Sequence, residues 1–167
     1  MALPRPGQGK PLAYEFGLSL ANKEKGSHEG IRILVAGAGT LEGLVVAQTH
    51  PKAQEVVALD VSEASLRRLK TRSFLARMRS LLLGFGVRYR LAPMEMVCAD
   101  IEEWEGEGFD YILATNVLHH NPNPAKLLGR LASWLNPGGL LRLVTYPKNS
   151  RFWIRVARRW LELGGLR

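Results

Sequence analysis

The stretch ILVAGAGT, at residues 33–40, decides the fold of this chain. Its continuous apolar run, ILVAG (33–37), is typical of a parallel strand that is buried on both faces. Gly37 and Gly39 then lead into a helix predicted from about Leu41 to Thr49. Glycine lets the backbone pass close to a ligand, and a helix amino terminus offers N–H groups to a negatively charged group. The stretch predicts a ligand-binding turn, although a turn needed only for packing would have the same pattern.

Strand and helix signals alternate outward from this stretch. Further strands are predicted at 56–60, 94–100, 110–115 and 139–146. Helices are predicted from Ser62 until Gly84, from Pro124 to Leu135 and from about Ser150 to Leu163, and a turn at 136–139 precedes the last strand. This alternation predicts a single α/β domain at 31–167, with a five-stranded and mainly parallel sheet, after a lead-in segment at 1–30.

The composition is that of an ordinary globular domain: 167 residues, 46% hydrophobic and 23% charged. These values exclude collagen, intrinsic disorder and disulfide-rich scaffolds. The one cysteine, Cys98, allows no intrachain disulfide, and its place in a strand predicts a small core residue. No apolar run approaches the roughly 18 residues of a membrane span, and the amino terminus has no signal-peptide core. We therefore predict a cytoplasmic protein.

The formal net charge of +8 is unevenly distributed. Residues 66–90 contain eight bases and no acid, and residues 142–167 contain seven bases and one acid. Two interpretations stay open for the first segment: a solvated helix face, or a surface that attracts an anionic acceptor, nucleic acid or lipid. The helix predicted at 150–163 either covers the sheet or lies on a membrane surface. We favour neither nucleic acid nor membrane as a partner from the sequence.

Two carboxylates stand at predicted strand ends, where ligands bind in open parallel sheets. Asp60 ends the second strand and is suited to accept both hydroxyls of a ribose, or else to cap the next helix with Ser62. Asp100 ends the third strand and is suited to accept from an adenine amino group, or else is a solvated strand end. Together with the glycine turn, they predict a nucleoside-binding site.

These residues resemble the class I S-adenosylmethionine-dependent methyltransferases from about Ile31 to Tyr146. The matching pieces are VAGAGT, VVALD, CADI, FDYILATNVLHH and LNPGGLLRL. The resemblance implies a Rossmann-like, doubly wound fold and methyl transfer from S-adenosylmethionine to an unidentified acceptor. It also implies the residues that bind the cofactor: Gly37, Ala38, Gly39 and Thr40 at the methionine part, Asp60 and Val61 at the ribose, Asp100 and Ile101 at the adenine, and Asn116 beside the sulfonium.

The chain departs from the family pattern at two positions. Val35 stands where the family usually has an acid, and Leu41 stands where it usually has a third glycine. A bulky Leu41 is expected to narrow the cofactor turn and weaken binding. A catalytically weak or vestigial cofactor-binding module is therefore the alternative function. A less favoured alternative is an NAD-type oxidoreductase, whose GxGxxG pattern would need glycine at Glu42 and leaves Asp100 unexplained.

His119 and His120 are adjacent, so their side chains point in different directions and make a poor metal pair. No cysteine, histidine and acid cluster with ligand spacing accompanies them, and no metal site is predicted. Leu-His-His occurs in family members with different acceptors, which favours a wall or structural role over a general base. The catalytic residues stay unassigned.

The resemblance implies two further strands after the fifth, and the chain ends before them. The fifth strand is therefore expected at a sheet edge, which must be paired or covered. Three alternatives are open: a homodimer through this edge, a monomer whose last helix or amino-terminal segment covers it, and a truncated chain. We favour the covered monomer, with the dimer second.

Overall fold

The computed structural model describes residues 29–82, 90–145 and 159. In chain order the elements are β1 (Arg32–Ala36), α1 (Glu42–Thr49), β2 (Glu55–Asp60), α2 (Glu63–Leu82), β3 (Met94–Cys98), β4 (Phe109–Thr115), a 3₁₀ turn (Leu118–His120), α3 (Pro124–Ser133) and β5 (Leu135–Val144). Within the described residues the sheet order is β3-β2-β1-β4-β5, and every pairing is parallel. The doubly wound α/β fold is confirmed. The predicted last helix and most of the lead-in segment lie outside these residues.

Helices cover both faces of the sheet, which is why its central strands are continuous apolar runs. The α1 and α2 face buries Ile33, Val35, Val56, Ala58, Tyr111 and Leu113. The α3 face buries Leu34, Ala36, Val57, Leu59, Ile112 and Ala114. Consecutive residues of each strand thus enter opposite cores. The polar and glycine-rich residues are left at the strand ends.

Local signals fix where the helices begin. The Ser65 N–H donates to Ser62 Oγ over 3.3 Å at the start of α2. At α3 the Lys126 N–H donates to Asn123 Oδ1 over 3.1 Å, and a proline occupies the first turn. Both arrangements satisfy N–H groups that the helix itself leaves unpaired. Gly43 lets α1 approach closely, because a Cβ there would lie 3.1 Å from Ala58 Cβ.

The β5 strand begins earlier than predicted, and the predicted turn at 136–139 is a bulge within it. Phe109 pairs with Leu135 and Tyr111 pairs with Leu140, so the intervening residues loop out of register. Asn136 holds the bulge in place, since its Nδ2 donates to Asp110 Oδ1 over 2.8 Å. A hydrogen-bonded bulge of this kind cannot be distinguished from a turn by its asparagine, proline and glycine residues alone.

Among the described residues β5 is one edge of the sheet, as predicted, and β3 is the other. Cys98, the last residue of β3, is exposed, so its prediction as a core residue is wrong. An edge strand is covered less than a central one, and its end is covered least. No helix in the described part of the chain has the length and apolar character needed to cross a membrane.

Candidate functional site

A cavity of about 330 Å³ lies at the carboxyl ends of β1 to β4. The sheet order reverses between β1 and β4, which is where open α/β sheets bind ligands. The volume lies within the range of small-molecule sites. Its lining residues are Gly37, Leu59, Asp60, Val61, Ala99, Asp100, Ile101, Glu102, Asn116, Val117, His120, Asn121 and Pro122. This lining, as far as the structure describes it, has three carboxylates and no lysine or arginine, in a chain of net charge +8.

The glycine turn after β1 is tied to the end of β2 by its own N–H groups. Those of Gly37 and Ala38 both donate to the Leu59 carbonyl, over 2.9 and 3.0 Å. The Gly39 N–H donates to Asp60 Oδ2 over 2.7 Å. These three N–H groups are therefore engaged within the chain. The turn presents its backbone surface to the cavity at Gly37 instead.

Gly37 has no room for a side chain. Its φ is +72°, a conformation that favours glycine, and a Cβ there would lie 2.5 Å from Val117 Cγ2. Gly39 also has a positive φ of +55°, but a Cβ there would meet nothing within 4 Å. Close packing at the turn thus depends on Gly37.

Asp60 joins the turn to the start of α2. Its Oδ2 accepts from Gly39, and its Oδ1 accepts from the Ser62 N–H over 2.8 Å. A carboxylate can accept about four hydrogen bonds. The helix-capping role and the ligand-binding role therefore do not exclude each other, because each oxygen accepts one of these bonds and Asp60 lines the cavity.

Asp100 and Glu102 form the wall beside β3. Asp100 Oδ1 accepts from the Glu102 N–H over 2.8 Å, and the Asp100 carbonyl accepts from Glu103 and Trp104. Asn121 lies across the cavity, and its Nδ2 donates to Glu102 Oε1 over 2.7 Å. This bond links the segment after β3 to the segment after β4, so the wall is built from both.

Asn116 follows β4 with a φ of +60°, the one non-glycine residue of the described ranges in this conformation. Its N–H donates to the Val144 carbonyl over 2.8 Å. A left-handed non-glycine residue is uncommon, and such strain is frequent at ligand sites. The His119 and His120 rings lie 4.1 Å apart between centroids, but only His120 lines the cavity.

The structure brings together six of the nine residues predicted to bind a cofactor: Gly37, Asp60, Val61, Asp100, Ile101 and Asn116. The other three do not line the cavity: Ala38 is buried in the core, Gly39 binds Asp60, and the Thr40 carbonyl and hydroxyl accept from Arg72 Nη1. Leu41 is 38% exposed and lies outside the lining.

Sequence reasoning missed a second polar group beside the turn. Thr115 Oγ1 donates to Glu42 Oε1 over 2.6 Å. Burial raises the pKa of Glu42, while the Thr115 hydrogen bond and the charge of Arg142 partly oppose this change. Burial also raises the pKa of Tyr111, against a hydrogen bond from Arg142 and the Arg142 charge. Glu102 and Asn121 were also missed, although each lies within five residues of a predicted position.

Comparison with known proteins gives a consistent result. A family model described as "Methyltransferase domain" matches residues 15–166. A ubiquinone biosynthesis O-methyltransferase of Hahella chejuensis is 29% identical over 77% of this chain and 48% of its own length. An uncharacterised protein of Synechococcus is 36% identical over 79% of this chain and 29% of its own length. The chain thus spans less than half the length of these two relatives.

The fold is also that of solved structures. One is a coclaurine N-methyltransferase bound to N-methylheliamine and SAH (S-adenosylhomocysteine), with a TM-score of 0.58 and 24% identity. It matches over 78% of this chain and 33% of its own. At this identity the likeness concerns the fold alone.

Proposed function

Because the chain belongs to the methyltransferase domain family, we propose that it binds S-adenosylmethionine in this cavity and transfers the methyl group to a hydroxyl-bearing acceptor. The observation that carries the proposal is the position of Asp60, which bridges the glycine turn and α2 and lines the cavity. The acidic lining supports it as well, since the donor carries a positively charged sulfonium.

The residues present fit the donor group by group. Asp60 would accept from the ribose hydroxyls, with Val61 beside it. Asp100 has one oxygen, Oδ2, that is not engaged by Glu102, and this oxygen would accept from the adenine amino group. Ile101 would contact the adenine ring. At each end of the nucleoside, one residue would thus make a charge-assisted hydrogen bond and its neighbour an apolar contact.

The methionine part would lie against the turn at Gly37, where a side chain has no room. Asn116 would lie beside the sulfonium, on a backbone held by its bond to Val144. Ala38, Gly39 and Thr40 remain predicted contributors through the backbone shape of the turn. None of them needs a side chain in the cavity for this role.

The donor supplies a methyl group that is already activated for transfer. The chain therefore has to hold the acceptor in line with that methyl group and keep water out. A hydroxyl acceptor must also lose its proton, and His120 is the imidazole on the cavity wall that would take it. The Hahella relative is named as an O-methyltransferase, which supports a hydroxyl acceptor.

Calorimetric titration of the full chain with S-adenosylhomocysteine tests the site, with NAD as the competing dinucleotide. We expect saturable binding of the first and none of the second. Transfer from labelled S-adenosylmethionine to simple phenols and catechols then tests the reaction. His120→Gln should retain S-adenosylhomocysteine binding and lose transfer, whereas His119→Gln, outside the lining, should retain both.

Each outcome has a distinct meaning. Binding without transfer to any acceptor would favour the vestigial binding module. Binding of NAD in preference to S-adenosylhomocysteine would overturn the proposal. Equal loss of transfer in both histidine variants would remove His120 from its assigned role.

A further inference from the structure

The α2 helix has two apolar faces, and only one of them belongs to the core. Leu66, Leu69 and Ser73 are buried against the sheet. On the opposite side, Phe74 is 60% exposed and Leu75 is 58% exposed, and the half-buried Met78 follows one turn later. We call Phe74, Leu75 and Met78 the outer strip. Most large apolar side chains of a globular domain are better covered than these, so two adjacent ones in solvent require an explanation.

Basic side chains flank the outer strip on both sides. Successive helical residues advance by about 100° around the axis, which places Lys70 and Arg77 along one flank. The same spacing places Arg68, Arg72 and Arg79 along the other flank. All five side chains are exposed. The helix therefore presents an apolar centre between two cationic borders.

Most of these cations form no ion pair with the residues that the structure describes. Arg67 pairs with Glu63 over 2.7 Å, and Arg72 donates to Thr40. In the described ranges no ion pair is formed by the other flanking bases, Arg68, Lys70, Arg77 and Arg79. No acid occurs between residues 66 and 90 to do so locally. The partner that complements this surface is an anion that also accepts apolar side chains.

An anionic bilayer surface meets both requirements. Helices that lie in the membrane interface bury an apolar strip near the headgroup boundary and place lysine and arginine beside the lipid phosphates. Nucleic acid would use the cations, but Leu75 and Met78 would gain nothing from phosphate contacts. The apolar centre thus favours lipid over nucleic acid.

We infer that the outer face of α2 docks this protein on anionic lipid bilayers, with the outer strip in the interface and the flanking bases on the headgroups. The inference does not depend on methyl transfer, because it uses no residue that lines the cavity. It also indicates where the cavity lies relative to the bilayer, since α2 begins three residues after Asp60. A docked helix would hold the cavity near the lipid surface.

Vesicle flotation of the full chain tests this inference. Vesicles of phosphatidylcholine mixed with phosphatidylglycerol are expected to bind the protein, and vesicles of phosphatidylcholine alone are not. Raising the salt concentration should weaken binding, because it screens the headgroup charge. Arg68→Gln with Arg79→Gln should weaken binding about twenty-five-fold, at about fivefold for each base.

The outer strip is tested separately. Phe74→Ser with Leu75→Ser should reduce binding about tenfold or more at unchanged net charge. Leu128→Ser and Lys126→Gln are matched controls, since both positions are exposed on α3, and they should bind as the unmodified chain does. Thermal unfolding of each variant checks that the fold is retained.

Three results would overturn the inference. Equal binding to both vesicle types would show that the negative charge of the headgroups does not contribute to binding. Unchanged binding by the α2 variants would place any lipid contact elsewhere in the chain. Loss of binding in the arginine variant alone, with equal competition by a single-stranded oligonucleotide, would identify a polyanion surface rather than a lipid surface.

Discussion

The two ends of the same sheet carry similar polar residues and use them differently. At the amino ends of the strands, Arg32 Nε and Nη2 donate to Glu55, and the Arg32 N–H donates to Asp110 Oδ2 over 2.9 Å. Asn136 completes the group by donating to Asp110 Oδ1. At the carboxyl ends, Asp60 and Asp100 also accept from nearby backbone N–H groups, but they line a cavity.

The difference teaches that a strand-end carboxylate becomes a candidate site where it also lines a cavity, since Asp60 and Asp110 alike have both oxygens hydrogen-bonded within the chain. At the amino ends, Asp110 links β1 to β5 through these bonds and does not line the cavity, and we call this the closed end of the sheet. At the other end the strands lead into helix starts and turns, and these line the cavity. Changes at the cavity end should therefore alter ligand binding, and changes at the closed end should alter stability.

The largest expected effect separates two glycines at opposite ends of β1. Gly37→Ala should reduce S-adenosylhomocysteine affinity about a hundredfold or more, close to 3 kcal/mol, because the new Cβ would overlap Val117 and displace the turn. Gly30→Ala is the matched control: its φ is +76°, similar to that of Gly37, and a Cβ there meets nothing within 4 Å. Both variants should lose about 1–2 kcal/mol of stability from the left-handed backbone. Equal affinity in the two variants, measured by calorimetry, would contradict the assignment of Gly37.

The next effect concerns the Asp60 carboxylate. Asp60→Ala should weaken S-adenosylhomocysteine binding at least about tenfold, because it removes charge-assisted hydrogen bonds worth about 1.5–3 kcal/mol each. Calorimetric titration measures the affinity, and a thermal transition shows whether the fold survives. An unchanged affinity in a folded variant would reject the ribose assignment.

Asp110→Ala should show the reverse of Asp60→Ala: a loss of stability with an unchanged ligand affinity. It leaves the Arg32 N–H without its acceptor and removes one of the two acceptors of Asn136 Nδ2, which should cost about 1–3 kcal/mol of stability. The melting temperature should fall by about 2–4 °C for each kcal/mol in a domain of this size. The S-adenosylhomocysteine affinity should stay within about twofold, since distant sites act independently. A marked loss of affinity would show that the two ends of the sheet are coupled.

The mainly parallel sheet and its buried central strands could be predicted because each of these strands is a short apolar run between clear turn signals. Asp60 and Asp100 could be placed at one site because the carboxyl ends of parallel strands meet at one edge. The bulge at 136–139 could not, because it depends on a hydrogen bond from Asn136 to Asp110, 26 residues away. Cys98 was wrongly placed in the core because apolar runs do not tell whether a strand lies at a sheet edge.

The use of the turn N–H groups could not be predicted either. The Gly39 N–H is engaged by Asp60, 21 residues later, and nothing local to the turn indicates this. The same holds for Glu42 and Thr115, which are 73 residues apart. Sequence patterns identified the positions that surround the cavity, whereas the partners of each polar group required the tertiary structure.

Glu42 is an intermediate case in the comparison of the two sheet ends, because it lies at the cavity end but is hydrogen-bonded to Thr115. Burial raises its pKa above the usual value of 4.5, so the folded state holds the proton more tightly than the unfolded state. As the pH rises from below the usual value through the raised one, the unfolded state releases its proton first, and the free energy of unfolding falls.

Glu42→Gln does not titrate and keeps an oxygen to accept from Thr115. Relative to the unmodified chain, the free energy of unfolding of this variant should therefore rise across that pH interval and then level off. Urea unfolding at a series of pH values measures this difference. The variant's S-adenosylhomocysteine affinity should stay within about twofold, because Glu42 does not line the cavity. Should the variant instead become relatively less stable as the pH rises, Thr115 and Arg142 would outweigh burial at this carboxylate.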